Sequence, residues 1–161
     1  MKLAIVLLLL VLPGTVVWQA FAAPDPAPDY PEGYRGWTHV KSALVSPAHR
    51  NFAATGGFQH IYANPQAMIG YRTRAFPEGS IIAFDWLEMT DVNGAFQEGA
   101  RRQVDVMVKD SQRFAKTGGW GFQRFVKDSK TERAAAPTPQ ACFTCHDNLK
   151  KDGLVLSSYR Q

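Results

Sequence analysis

From Ser80 to Met89, Ile82, Phe84 and Trp86 alternate with Ile81, Ala83 and Asp85. That period of two predicts a β-strand, and because both sets are largely apolar the strand belongs in the middle of a sheet. Val104, Val106 and Val108 alternate in the same way with Asp105, Met107 and Lys109, and Trp120 to Val126 repeats the pattern after Gly118 and Gly119. Phe58 to Tyr62, following Gly56 and Gly57, reads as a further strand, while Tyr34 to Val40 supplies the first aromatic anchors, Tyr34 and Trp37. Asn64-Pro65 opens a helix predicted over Pro65 to Arg72, since Asn caps a helix well and Pro suits its first position. Phe76-Pro77-Glu78-Gly79 has the composition of a turn, and residues 134–139 read as a linker. The sum is four or five strands with a few short helices: a β-rich α+β fold built on an antiparallel sheet. Such alternation argues against a bundle of four long helices.

The N-terminus carries a different pattern. Lys2 is followed by an unbroken apolar run from Leu3 to Leu12, a Pro13-Gly14 break and the small residues Ala20 and Ala22. This is the layout of a secretory signal over residues 1–22, which implies export to the periplasm and a mature chain starting at Ala23. The run falls short of the roughly 18 apolar residues a membrane span needs, so no span is expected in the mature chain. Residues 23–33 are rich in proline and predict an extended, poorly packed lead-in, and residues 34–161 form one domain. The net charge of +4 is spread without a basic stripe, which argues against nucleic acid as a partner.

Both cysteines lie in Cys142-Phe143-Thr144-Cys145-His146, the C-x-x-C-H pattern of covalent haem attachment. On a helix, residues three and four apart share a face, so two thiols can reach the two vinyl groups while the imidazole reaches the iron. The motif therefore predicts a C-terminal haem-binding helix with one haem c on Cys142 and Cys145, and His146 as its metal ligand. A disulfide across two residues closes too short a loop to stabilise much, and a zinc site would need a further ligand pair. No Met or His follows His146. A sixth ligand would come from Met68, Met89, Met107, His39, His49 or His60; without one, the iron keeps an open face.

The chain resembles the cytochrome P-460 family, which includes the cytochromes c′-beta. The resemblance runs from Tyr34-Arg-Gly-Trp37 through Ile61-Tyr62-Ala-Asn-Pro65 and Phe76-Pro-Glu-Gly79. It is strongest at Val108-Lys-Asp-Ser-Gln-Arg-Phe114, followed by Trp120-Gly-Phe122 and the C-terminal motif. It implies a homodimer and a five-coordinate haem. Members that oxidise hydroxylamine carry a lysine bonded to the haem on the strand after the Phe-x-x-Gly turn; the matching residue here is Phe84, which aligns the chain with the c′-beta branch. The resemblance also implies a distal acid at Asp105, which alternation alone reads equally well as a solvent-facing residue.

Three functions follow as expectations. The first is a protein that binds nitric oxide or a similar gas or nitrogen oxide at an apolar distal face, crowded by Phe84 with Phe58. The second is an enzyme oxidising hydroxylamine, with Asp105 as base and Lys41, Lys109 or Lys127 replacing the missing lysine. The third is simple electron transfer to a redox partner protein.

Overall fold

The computed structural model describes residues 27–50 and 52–160. The expected signal peptide lies outside the described residues. Five strands form one antiparallel sheet in sequential order: β1 (Thr38–Val45), β2 (Gly57–Ala63), β3 (Ile81–Val92), β4 (Ala95–Lys109) and β5 (Trp120–Val126). Three helices accompany it: α1 (Phe52–Thr55), α2 (Pro65–Thr73) and α3 (Pro139–His146), the last continued by a 3₁₀ segment over Asp147–Asp152. The β-rich α+β expectation holds, with β3 at the centre as its two apolar faces require. Among the described residues, no helix is long and apolar enough to cross a membrane.

The two faces of the sheet bury separate clusters. On one, Ile82, Phe84, Met107 and Phe122 meet Met68 and Tyr71 of α2 and the C-terminal Leu154 and Val155. On the other, Ala83, Val104, Val106 and Phe125 meet Tyr34. The described part of the lead-in packs here rather than hanging free. Pro28 and Pro31 are buried, and Tyr30 meets the rings of Phe125 and Tyr34 edge-on at 5.2 and 6.1 Å.

Two strands run further than their alternation announced. β3 and β4 join through Asn93 (φ 55°) and Gly94 (φ 85°), a two-residue hairpin turn that needs left-handed backbone at both positions. The Asn-Gly pair was the available signal. Near Trp86 and Leu87 the register shifts: Trp86 pairs with Gln103, but Leu87 pairs with Arg101. The extra residue, Arg102, turns Arg101 onto the face of Asp85, where its Nε donates to Asp85 Oδ1 at 2.7 Å.

Asn64 caps α2 as expected. Its Oδ1 accepts from the backbone N–H groups of Ala67 (2.9 Å) and Ile81 (3.0 Å), and its Nδ2 donates to Gly79 O (2.8 Å). One side chain thus ties the helix to the turn that launches β3. N64A is expected to lower stability by about 2 kcal/mol, the upper range for a lost cap, since two further bonds go with it. Urea denaturation tests this; a midpoint equal to that of the unaltered chain would refute it.

Candidate functional site

Thr138 starts α3: its Oγ1 accepts from Ala141 N–H at 3.3 Å, and Pro139 occupies the first helical position. The linker ahead of it is part of the site, because Ala134 and Pro137 help to wall a cavity of about 350 Å³. Cys142, Cys145 and His146 all line this cavity from α3. Their thiols are not joined to one another. Burial, followed by the charge of Asp105, pushes the Cys142 thiol above its usual range. That is the opposite of the low value a redox-active cysteine pair needs.

His146 has one nitrogen committed. Its Nδ1 lies 2.6 Å from Leu154 O, and since a carbonyl can only accept, Nδ1 carries the proton and Nε2 keeps its lone pair. Burial lowers its pKa against the opposing effect of that hydrogen bond, which favours the neutral ring that binds metals. Phe122 packs 5.2 Å from the ring.

The opposite wall is the sheet. Phe84 of β3 pairs with Asp105 of β4, which pairs with Arg124 of β5, so all three project from one face. Each lines the cavity, as do Trp86, Met107 and the half-exposed Leu156. Arg124 grips Asp105 with two bonds, Nε to Oδ1 at 2.6 Å and Nη2 to Oδ2 at 2.8 Å, and Gln103 Nε2 adds a third at 3.1 Å. Burial alone would lower the Arg124 pKa; Asp105 overturns this and holds the guanidinium charged. The wall is therefore not wholly apolar, but its two opposite charges satisfy each other.

Phe58 is not brought to this cavity. Register places it with Leu87 on the far face, where it stacks on His60 with ring centres 6.1 Å apart. His39 and His60 share that far face, linked through Ser42 at 2.9 and 2.7 Å. Met68 is buried in the cluster beneath α2, Met89 lies on the hairpin and His49 in the exposed turn before α1. Of the six candidate sixth ligands, Met107 alone is among the described residues lining the cavity. None of Lys41, Lys109 and Lys127 is among them; Lys109 donates to Gly118 O at 3.1 Å beside Trp120.

Two contributors were not anticipated. Arg124 was within reach, since the alternation of Trp120 to Val126 sets it on the face of Phe122. Leu154 had no signal, because it acts through its backbone carbonyl.

The donor set suits a haem: two unjoined thiols and a neutral imidazole with Nε2 free, converging on a mostly apolar cavity between helix and sheet. Among the described residues, no group of three or more His, Cys, Asp or Glu could hold a bare metal ion instead. The family model described as Cytochrome P460 matches residues 31–157. No curated protein matches the chain.

Proposed function

The chain belongs to the cytochrome P460 family and is a haem cytochrome; from that premise we propose that it is a periplasmic, mono-haem c-type cytochrome of the c′-beta kind that binds nitric oxide or a similar small ligand. The reading includes export through residues 1–22, thioether attachment at Cys142 and Cys145, His146 as the iron ligand, and a homodimer. The last rests on the family resemblance. Bound haem would supply an iron centre for binding small ligands and for one-electron exchange.

The observation that carries the proposal is Phe84 in the sheet wall, at the position where the family resemblance puts the haem-bonding lysine of hydroxylamine-oxidising members. A phenyl ring offers no amine, and no lysine is among the described lining residues. Phe84, 9 % exposed, instead narrows the space for ligands to small ones. Asp105 also serves poorly as a base for hydroxylamine. Both of its oxygens already accept N–H bonds, so taking a substrate proton requires breaking one of them. The same bonds occupy Arg124, so its guanidinium is not free to stabilise a polar bound ligand such as dioxygen. Nitric oxide or carbon monoxide, which depend less on a hydrogen-bond donor when bound, fit that wall better.

Spectra and rapid mixing test this. The ferrous protein is expected to bind nitric oxide and carbon monoxide and to form no stable complex with dioxygen. A haem peptide from tryptic digestion should contain only the Cys142–Cys145 segment, and hydroxylamine should give no turnover. A third cross-linked peptide together with turnover would overturn the proposal in favour of the oxidase. A low-spin six-coordinate ferric spectrum that M107A abolishes would overturn it in favour of electron transfer.

A further inference from the structure

We infer that Trp120 and the Gly153–Leu154 turn form a rigid mount that orients His146 and sets how strongly it donates to iron; this rests on the haem reading of α3. Leu154 has φ 66°, directly after Gly153 with φ 65°. Glycine takes the left-handed region freely, whereas a bulky side chain rarely does unless its surroundings impose it. Here they do. Leu154 is 6 % exposed and Val155 2 %, and a Cβ added to Gly118 would come within 2.7 Å of the Leu154 side chain.

Two left-handed residues in succession present two neighbouring carbonyls, and both are used. Trp120 Nε1–H donates to Gly153 O at 3.0 Å, and His146 Nδ1–H donates to Leu154 O at 2.6 Å. The amides are held as well: Gly153 N–H donates to Lys150 O (3.2 Å) and Leu154 N–H to Leu149 O (3.0 Å). Trp120 is 1 % exposed and clamped edge-on by Phe76 at 5.6 Å. A Cβ on Gly153 would meet that same Phe76 ring at 2.7 Å, so position 153 has no room for a side chain. β5 thus supports His146 twice: directly through Phe122, and through Trp120 by way of the turn.

The consequence is electronic as well as geometric. A hydrogen bond from Nδ1 to a carbonyl fixes the tautomer and raises the basicity of the ligating nitrogen. Leu154, held where leucine is disfavoured, keeps that carbonyl at 2.6 Å. Trp120 donates its hydrogen bond to Gly153 O rather than to the His146–Leu154 pair, and so acts as a positioning residue.

The test is made on the holoprotein by resonance Raman spectroscopy of the ferrous state and by redox titration. W120F keeps an aromatic ring and removes the N–H. The iron–histidine stretching band is expected to move to lower frequency and the midpoint potential to rise, at unchanged haem per chain. L154G keeps the carbonyl and accepts left-handed backbone, so its band should stay at the wild-type position. L154V, which resists that conformation, should shift the band as W120F does and serves as the second variant should W120F not fold. An unshifted band in W120F, or in L154V where that variant stands in, overturns the mount. Absence of covalent haem from the unaltered protein would instead overturn the reading beneath it.

Discussion

Replacing both Cys142 and Cys145 by alanine is expected to give a protein from which acidic acetone extracts all of the haem, whereas the unaltered protein keeps it. The reason starts with α3. Thr138 and Pro139 begin the helix, and its pitch brings Cys142, Cys145 and His146 onto the cavity side. In the proposed attachment each thiol would add across one vinyl group, sulfur bonding to one carbon and the hydrogen going to the other, with no net oxidation. That chemistry needs reduced, unjoined cysteines, as found here. With both sulfurs gone, attachment depends on His146 and on contacts with the cavity wall, which acid abolishes by protonating the imidazole. The single variants should each keep one thioether and remain unextractable. Complete extraction from the unaltered protein, or haem retention by the double variant, would count against covalent attachment.

D85N is expected to cause the largest loss of stability without disturbing the haem site. Asp85 is fully buried, on the sheet face away from the cavity. Its Oδ2 accepts from Arg35 Nε and Nη2 at 2.8 and 2.6 Å, and its Oδ1 from Arg101 Nε at 2.7 Å. Arg101 also binds Asp128 at the surface. Removing one partner of a buried ion pair typically costs about 3–5 kcal/mol, because the other charge is left uncompensated. The Arg35 side chain is 51 % exposed and keeps part of its hydration, whereas that of Arg101 is 16 % exposed. The lower end, about 3 kcal/mol, is therefore expected. Denaturant midpoints of the two proteins check this, with equal midpoints as the refuting result.

The same residue sets a pH dependence. Burial alone would raise the Asp85 carboxyl, but the bonds from Arg101 and Arg35 outweigh it and hold the pKa below the usual carboxylate range; the Tyr34 hydroxyl lies nearby, outside hydrogen-bond geometry. A depressed folded-state value means that the stabilisation is fully present above the unfolded value of about 4. It is lost as pH falls through the folded value. The unaltered protein should therefore lose stability in acid more steeply than D85N, and parallel curves would show that Asp85 contributes nothing to the slope.

Local features of this chain were legible because they depend on near neighbours. Asn64 and Pro65 start α2 through bonds within one turn, and Ile82, Phe84 and Trp86 state their strand by period alone. Phe58 shows where such reading stops. Its strand was evident, but its face depends on register against β3, and nothing within residues 58–62 specifies that pairing. Arg101 is subtler still: alternation assigns it to one face, and a single bulge moves it to the other, onto Asp85. Asp105 and Arg124 stand 19 residues apart and meet only because β4 and β5 pair as they do.

By itself the sequence determined the β-rich fold class, the Asn64 cap of α2 and the Cys142, Cys145 and His146 set, since all of these follow from spacings of a few residues along one helix or strand. Only the tertiary structure decided which residues face those three. It placed Phe84, Asp105 and Arg124 in the opposite wall, sent Phe58 to the far side, and delivered the Leu154 carbonyl to His146. Those outcomes rest on strand register and on one left-handed turn, and both are settled by packing between distant segments.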